Sequence, residues 1–355
     1  MVFMRKRMIF HVDVNAFYAT VEEIDHPEYK DQPIAVAPQK QQAIITTCNY
    51  IARSYGIKSA MSVMEAKRLC PHLVVTGLHF ERYHEVSEAF ITICESLCES
   101  VEVASVDECY MDMSEVMHQY SKPLDAAMLL QKRLQDELQL KVSIGIASNK
   151  FLAKVASDLK KPNGISIIRD NELKSKLWPL PLPSIIGVGK KMYEVLASFQ
   201  LYTVADLIKC DEATLAQIPL NLRPLIERCS GIDESMVNQT RTHKSMGQSR
   251  SIGYDCDDEK TLTLIIQECV QELVNRAYNE RVLFKNIIVG IKDDAYENRS
   301  KSMNFDVPTQ EYGKIYEYVN VLFDQLFEQS VRHISVSCSK MIDEREYFAQ
   351  LNLFE

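Results

Sequence analysis

The chain has 355 residues, more than one ordinary domain accommodates, so we expect about two to four domains. Its 46% apolar and 25% charged residues are typical of a globular protein, and no apolar run approaches the roughly 20 residues of a membrane span. We therefore expect a cytoplasmic protein without a membrane segment. Ten scattered cysteines without a paired CxxC pattern favour reduced thiols over disulfides or a zinc site.

The net charge of −9 argues weakly against a nucleic-acid partner, but the charge is unevenly distributed. Residues 141–191 contain ten Lys or Arg against three acidic residues, so this window carries +7 and the remainder of the chain −16. A basic band of this kind is typical of a DNA-binding groove, and a solvated helix face gives a similar pattern. Charge alone leaves both interpretations open.

In the first half of the chain, short apolar runs alternate with helical periodicity, which predicts an α/β or α+β fold. The strands are predicted at 8–14, 33–37, 43–47, 101–106, 109–113 and 141–147. The helices are predicted at 16–23, 51–55, 62–69, 82–100, 124–138 and 150–159.

The second half changes character twice. Residues 178–232 contain short helical stretches broken by prolines and glycines, which predicts a small helical unit, and the polar segment 233–249 predicts an exposed basic linker. A βαββαβ domain is then expected, followed by a short tail from Asp343. Its strands are predicted at 249–255, 286–292, 301–307 and 332–339, and its helices at 262–283 and 311–329.

Three carboxylates occupy the ends of predicted strands. Asp13 closes the first strand, and Asp107 and Glu108 lie at the junction between two others. If the fold brought them together they would repel one another unless cations balanced them, and Mg²⁺ prefers such oxygen ligands together with phosphates. Two such ions support in-line phosphoryl displacement. Acidic residues at strand ends are more often solvated turns, so these three residues alone do not establish a metal site.

Five motifs in order and spacing resemble those of the Y-family DNA polymerases. FHVDVNAFYATVEE at 10–23 is similar to the opening motif of the family, and NYIAR at 49–53 resembles its YxAR finger motif. SVDE at 105–108 resembles its carboxylate pair, and SNKFLAK at 148–154 and KPNG at 161–164 complete the set. The chain is identified on these motifs as a member of the Y family, most similar to its DinB branch.

The resemblance implies an α+β multidomain fold, that of a right-hand polymerase. We expect a ferredoxin-like palm, small fingers, a helical thumb with a helix-hairpin-helix, and a βαββαβ little finger. The implied boundaries are 1–24 and 78–172 for the palm, 25–77 for the fingers, 173–234 for the thumb, 235–248 for a linker, 249–342 for the little finger and 343–355 for a clamp-binding tail.

The implied activity is that of a low-fidelity translesion DNA polymerase, a DNA-directed nucleotidyltransferase. Asp13, Asp107 and Glu108 match the catalytic carboxylates, and with the Val14 carbonyl they would hold two Mg²⁺ ions, for which Mn²⁺ could substitute. Glu108 would face the primer terminus. The modest side chains of AIITTC at 43–48 would form a roof over the nascent base pair, and a roof without bulky aromatics predicts tolerance of a distorted template base.

The resemblance also implies contacts with the incoming dNTP. Tyr18 falls at the position of the steric gate, where an aromatic ring excludes a ribose 2′-hydroxyl. Tyr50 and Arg53 lie three residues apart on one helix face, where both can meet phosphate oxygens, and Lys161 adds a compact charge. Considered singly, such residues are more often core aromatics or solvated charges. The full predicted set is Phe17, Tyr18, Thr47, Tyr50, Arg53 and Lys161.

Predicted contacts with primer-template DNA come from two segments. IIGVGK at 185–190 resembles the hairpin of a helix-hairpin-helix, in which glycines and a helix N-terminus approach a phosphate. The second is the predicted little finger, where SRS at 249–251 and residues 299–302 supply hydroxyls and positive charges for phosphates. The predicted residues are Gly187, Gly189, Lys190, Ser249 and Arg250.

The last residues, QLNLF at 350–354, look like the peptide by which bacterial polymerases bind the β sliding clamp, although a strand end packed on its own domain is the alternative. The predicted clamp contacts are Gln350, Leu351, Leu353 and Phe354. We expect a monomer, and the sequence indicates no particular partner protein beyond the clamp.

One residue departs from the DinB pattern. Asn15 stands where many members have Asp, and DVNAFY at 13–18 is similar to the UmuC branch, which leaves the branch open. A nucleotide cyclase with paired acids would not explain the helix-hairpin-helix or the tail, and a catalytically silent DNA-binding scaffold would not need Arg53 and Lys161 beside three carboxylates.

Overall fold

The apolar runs that end at Val14 and Ala147 form neighbouring strands of one sheet in the structure, a computed structural model that describes residues 7–40, 43–237 and 244–347. The chain divides into two units, Met1–Thr240 and Arg241–Glu355.

The strands of the first unit are β1 (Ile9–Val14), β2 (Ile34–Val36), β3 (Thr47–Cys48), β4 (Val74–Thr76), β5 (Val101–Val103), β6 (Glu108–Asp112), β7 (Val142–Ala147) and β8 (Ile165–Ile167). Its helices are α1 (Phe17–Asp25), α2 (Tyr50–Ser54), α3 (Val63–Leu69), α4 (Phe80–Glu95), α5 (Pro123–Leu138), α6 (Lys150–Asp158), α7 (Leu173–Lys176), α8 (Lys190–Ser198), α9 (Val204–Lys209), α10 (Glu212–Leu215) and α11 (Arg223–Cys229).

The central sheet has the order β5-β6-β1-β7-β8, and β1 is buried along its whole length. Because successive side chains of a strand face opposite sides, β1 supplies two cores. Phe10, Val12 and Val14 pack with α4 and α5 on one face. Ile9 packs with α6 and with the short helices that follow it on the other. Asp13 thus lies at the end of a rigid, buried strand.

A smaller sheet, β3-β2-β4, forms the third core of this unit with α2 and α3. Both helices begin at capping side chains: Asn49 accepts a hydrogen bond from Ala52 N at 2.9 Å, and Ser62 accepts one from Glu65 N at 3.1 Å. Such caps satisfy backbone donors that a short helix cannot pair internally. The cap at Asn49 fixes the start of the helix that carries Tyr50 and Arg53.

The second unit consists of β9 (Ser245–Cys256), α12 (Glu259–Glu280), β10 (Val282–Asp293), β11 (Asn298–Thr309), α13 (Tyr312–Asp324) and β12 (Val331–Asp343). This is the predicted βαββαβ order, with the sheet arranged β11-β10-β12-β9. Ile287, Val289 and Ile291 of β10 face the core beneath α12 and α13.

The elements of this unit differ from the predicted ranges at their ends, and two of these differences have a clear structural cause. β9 begins at Ser245 rather than Ser249, because Met246 is buried in the core and pairs with Cys338. α12 ends at Glu280 rather than at residue 283, because Arg281 adopts a left-handed conformation with φ 54°. No helix among the described residues is long and apolar enough to cross a membrane.

Candidate active site

Two of the three predicted carboxylates meet at the edge of the central sheet. In the antiparallel pairing of β1 with β6, Asp13 lies directly opposite Glu108. A backbone hydrogen bond connects the residues next to this pair, in which Val14 N donates to Asp107 O at 2.9 Å. Asp13 and Glu108, which are 95 positions apart in the sequence, are thereby brought side by side, and only 5% of Asp13 is exposed.

Two lysines neutralise these carboxylates. Lys154 Nζ lies 3.1 Å from Asp13 Oδ2 and 2.6 Å from Glu108 Oε1, and Lys161 Nζ lies 2.6 Å from the same Asp13 oxygen. We call Asp13, Glu108, Lys154 and Lys161 the charged cluster. Its members are mostly shielded from water, so their interactions are stronger than those of surface ion pairs.

The two carboxyl groups of the charged cluster have opposite pKa shifts. Burial and the hydrogen bond to Glu108 raise the pKa of Asp13 to about 6, against the opposing effect of the two lysines. Burial would also raise the pKa of Glu108, but the interactions with His11, Asp13 and Lys154 outweigh it and hold that pKa well below its usual range. Asp13 is therefore the member of the pair that retains a proton more readily.

The side chain of Asp107 takes a different direction. Its Oδ1 accepts a hydrogen bond from Ser105 Oγ at 2.6 Å at an exposed position, although its backbone is bonded to Val14. Within residues 7–40, 43–237 and 244–347, no three His, Cys, Asp or Glu side chains form a group that could hold a metal ion. The structure thus brings the side chains of Asp13 and Glu108 together. The backbone of Asp107 lies beside them, but its side chain is hydrogen-bonded to Ser105.

Tyr18 lies beside the carboxylates at the start of α1. Its ring stacks on Tyr83, with centroids 4.2 Å apart and an interplanar angle of 17°, and meets Phe80 edge-on at 6.3 Å. Burial and the Asp107 carboxylate raise the pKa of Tyr18, which places the phenol near that acid. The preceding Phe17 is 3% exposed and packs in the core, so its ring is not available to a ligand.

Tyr50, Arg53 and Lys161 also lie near one another. The Arg53 guanidinium sits 4.8 Å above the Tyr50 ring, and its Nε donates to Cys48 O at 3.1 Å. Burial raises the pKa of Tyr50, and the positive charges of Arg53 and Lys161 oppose that rise. Thr47 is half-buried in β3, three residues before Tyr50.

Asn15 holds the turn that carries Lys161, a role that the sequence reasoning missed. Its Oδ1 accepts from Asn163 N at 2.6 Å, and its Nδ2 donates to Ser143 Oγ at 3.0 Å. Asn15 itself is 4% exposed, so both contacts are shielded from water. The departure from the DinB pattern retains the acceptor oxygen that an Asp would offer to Asn163.

Comparisons with known proteins agree with this geometry. The model of the impB/mucB/samB family matches residues 12–158, and that of the impB/mucB/samB family C-terminal domain matches residues 243–353. DNA polymerase IV of Bacillus velezensis is 37% identical, over 98% of this chain and 85% of the relative. DNA polymerase IV 1 of Bacillus subtilis is 35% identical, over 99% and 86%.

The chain belongs to the impB/mucB/samB family. The predictions of a Y-family polymerase of the DinB type and of a DNA-directed DNA polymerase are confirmed by these relatives. A solved Y-family DNA polymerase chimera, 24% identical, has the same fold with a TM-score of 0.84, covering 94% of this chain and 99% of its own. The predicted α+β multidomain fold is confirmed by that match.

The turn before α8, predicted as the hairpin of a helix-hairpin-helix, is accessible at its two glycines and at Lys190. Gly187 has φ 94°, a conformation that favours glycine, and a side chain at Gly189 would meet no atom within 4 Å. Lys190 begins α8 with 91% of its side chain exposed. The backbone of this turn is therefore accessible to a ligand.

In the C-terminal sheet, Ser249 and Arg250 point to opposite faces. Arg250 pairs with Ile334, whose side chain is in the core, and its guanidinium forms an ion pair with Glu272 of α12. Ser249 lies on the face without helices, which we call the open face. This geometry argues against Arg250 as a phosphate contact on that face.

Serines line the open face, a pattern that sequence reasoning missed. Ser335 Oγ donates to Gly290 O at 3.2 Å, and a Cβ at Gly247 would lie 2.8 Å from Ser337 Cβ, so the strands are closely spaced here. Because side chains alternate between the two faces of a strand, Lys292 of β10 lies on the open face as well. Burial and the positive charge of Lys292 both lower the pKa of His333. The period-two signal is visible in the sequence as Ser245, Ser249 and Ser251 in β9, Ser300 and Ser302 in β11, and Ser335, Ser337 and Ser339 in β12.

The predicted clamp residues Gln350, Leu351, Leu353 and Phe354 lie outside the described residues, as do residues 238–243 of the predicted linker.

Proposed function

We propose that the chain extends a DNA primer with dNTPs opposite both damaged and undamaged template bases, at low fidelity. Membership of the impB/mucB/samB family carries the coarser part, a DNA polymerase that depends on a divalent metal. The observation that carries the finer part is the meeting of Asp13 with Glu108, where the Asp107 backbone is bonded to Val14. The catalytic residues of this proposal are Asp13, Asp107 and Glu108.

The donor set fits magnesium. Carboxylate and carbonyl oxygens from Asp13, Val14, Asp107 and Glu108 are hard ligands of the kind that Mg²⁺ prefers, and Mn²⁺ accepts the same set. When bound, a pair of such ions supplies a lowered pKa at the primer 3′-hydroxyl and charge neutralisation at the triphosphate. Lys154 and Lys161 already balance the negative charge of Asp13, which supports a site built for cations.

The triphosphate is proposed to lie against Tyr50, Arg53 and Lys161. An exposed fork of donors on Arg53, oriented by Cys48 O and by the Tyr50 ring, suits two phosphate oxygens. The sugar is proposed to stand against Tyr18, which is near enough to the Asp107 carboxylate for that charge to raise its pKa. Its stack on Tyr83 keeps the ring from moving aside, so a ribose 2′-hydroxyl would be excluded. Thr47 and the Phe17 backbone complete the proposed pocket.

Lesion tolerance is supported by the residues proposed as the roof. Of residues 43–48, only Ile44 and Thr46 are exposed, and neither is aromatic. Less steric contact with the base pair means weaker discrimination by shape.

For DNA, we propose backbone contacts by Gly187, Gly189 and Lys190 and by the open face, with Ser249 supplying a hydroxyl and Lys292 the charge first assigned to Arg250. Because these contacts go to phosphates, affinity should fall steeply with salt. The domain boundaries predicted above remain our proposal for the palm, fingers and thumb, while the little finger is proposed to run from the start of β9 at Ser245 to the end of β12 at Asp343, which shortens the linker to 235–244.

We further propose a cytoplasmic monomer that docks on the β sliding clamp through Gln350, Leu351, Leu353 and Phe354. Two apolar anchors after a glutamine suit an apolar cleft with a polar rim. Deleting residues 350–355 should abolish stimulation by the clamp and leave clamp-free synthesis intact. Equal stimulation of the truncated chain would contradict the proposal.

Primer extension tests the activity directly. With Mg²⁺, dNTPs and templates with or without an abasic site, the wild-type chain should elongate both, and Asp107→Ala should reduce elongation about 100-fold or more. Asp136→Ala removes an exposed carboxylate of α5 paired with Lys132 and serves as the control. Elongation by Asp107→Ala at the rate of this control would refute the catalytic assignment, and arrest of the wild-type chain at the lesion would refute translesion synthesis.

A further inference from the structure

His11 is a buried imidazole directly behind the proposed active site. It lies in the middle of β1, opposite Tyr110 of β6 and Gly145 of β7, and is fully buried. It is two residues before Asp13, so both side chains point to the face covered by α6. Its ring meets Tyr110 edge-on, with centroids 4.7 Å apart.

Both ring nitrogens of His11 face polar groups. Nδ1 lies 2.9 Å from Ser157 Oγ, and Nε2 lies 3.4 Å from Glu108 Oε2. Nε2 is shielded from water and has no hydrogen bond to any described residue, although Glu108 Oε2 lies 3.4 Å away. The other Glu108 oxygen is held at 2.6 Å by Lys154. A small rotation of the Glu108 carboxylate would complete the contact with His11.

Gly145 makes this arrangement possible. A Cβ there would lie 1.9 Å from Ala153 O and 2.3 Å from Ser157 N, so the α6 backbone rests directly on β7. Such close packing is open only to glycine, and it brings Ser157 within reach of His11 and Lys154 within reach of Glu108. Helix α6 thus supplies both partners: Ser157 contacts His11, and Lys154 contacts Glu108.

Packing alone does not explain an imidazole at this position. Burying a polar ring is unfavourable unless its nitrogens are paired, and a phenylalanine would fill the same space against Tyr110 without that cost. We propose that His11 is a positioning residue for Glu108. Ser157 Oγ also lies 2.8 Å from Lys154 O, and the proposed arrangement requires its single proton to go to His11 Nδ1 instead. That leaves the ring proton on Nε2, and this N–H orients the Glu108 carboxylate for its catalytic role. The proposal rests on the polymerase function proposed above.

The test is single-turnover nucleotide incorporation at saturating Mg²⁺, with the dNTP concentration varied. His11→Phe keeps the ring volume and removes the donor, and we expect the maximal rate to fall about 10- to 100-fold, the usual effect of losing an outer-shell partner, while the dNTP Kd stays unchanged. His11→Gln places an amide N–H near the position of Nε2 and should restore most of the rate. A role in packing alone predicts the reverse order, because Phe fits the apolar site better than Gln.

The outcomes separate the two proposals. A wild-type rate in a stably folded His11→Phe, or a His11→Gln rate no better than that of His11→Phe, would overturn the positioning role. If His11→Phe fails to fold, Ser157→Ala decides: it leaves the ring in place, should lower the maximal rate at native thermal stability, and a wild-type rate would overturn the proposal. Asp107→Ala is assayed alongside, since full activity in that variant refutes the polymerase assignment itself rather than the role of His11.

Discussion

The charged cluster of the first unit and the open face of the second show two ways of placing polar groups on a sheet. In the cluster, Asp13 and Glu108 are buried against Lys154 and Lys161, and each contact has one specific partner. On the open face, hydroxyls repeat along the strands at a spacing of two residues. A single substitution in the first region should therefore change the reaction itself, whereas one in the second should change only the affinity for DNA, and by a small amount.

The largest effect is expected at Tyr18, because a steric exclusion depends on one ring. Tyr18→Ala should lower the preference for dNTP over rNTP about 10- to 200-fold, the range that one steric contact provides. The measurement compares kcat/KM for dNTP and rNTP on the same template. Tyr18→Phe keeps the ring and its stack on Tyr83, and should retain the preference. Unchanged discrimination in Tyr18→Ala would remove Tyr18 from the site.

Arg53 should separate nucleotide binding from DNA binding. Arg53→Ala should raise the dNTP Kd about 10- to 100-fold, because it removes charge-assisted hydrogen bonds worth about 1.5–3 kcal/mol. Primer-template affinity, measured by fluorescence anisotropy, should be nearly unchanged. Loss of DNA affinity with an unchanged dNTP Kd would show that Arg53 contacts DNA rather than the nucleotide. The first region would then bind DNA as the second does.

A smaller effect is expected at Asn15, which acts through the turn that carries Lys161. Asn15→Ala leaves Asn163 N without its acceptor and should raise the dNTP Kd about three- to tenfold, as loss of one hydrogen bond does. Asn15→Asp keeps the acceptor oxygen and should remain close to the wild type. If both variants bind dNTP equally well, the turn is held by other contacts.

The smallest effect is expected on the open face, where many similar side chains each contribute a small part of the DNA affinity. Lys292→Ala should reduce by about 1 the slope of log K against log salt for DNA binding, irrespective of sequence. Arg250→Ala is the matched control, because Arg250 is paired with Glu272 on the opposite side of the sheet. If Arg250→Ala reduces the slope and Lys292→Ala does not, the assignment of the faces is wrong.

The sequence predicted much of the first region because its motifs fix both residue type and spacing. Strand periodicity placed Asp13 and Glu108 at strand ends, and the pairing of β1 with β6 confirms their proximity. The direction of the Asp107 side chain could not be predicted, since it depends on a local hydrogen bond to Ser105. Asn15 was treated as a departure from a pattern, because its contacts with Ser143 and Asn163 are distant in sequence.

The second region was predicted in topology but less well in detail. The early start of β9 adds too few residues for periodicity to detect, and the same is true of the three-residue strands β4 and β8 outside this region. The end of α12 depends on one left-handed residue, Arg281. Arg250 was placed on DNA by its charge, whereas the register with Ile334 turns it toward the helices.

Metal binding tests the central claim without relying on catalysis. Mn²⁺ would be titrated into the chain bound to primer-template and an unreactive dNTP analogue, and the bound ions counted by electron paramagnetic resonance. We predict two Mn²⁺ ions per wild-type chain and in Asp136→Asn, and in Asp13→Asn the loss of at least one ion or affinity about tenfold weaker. Wild-type stoichiometry and affinity in Asp13→Asn would contradict the account.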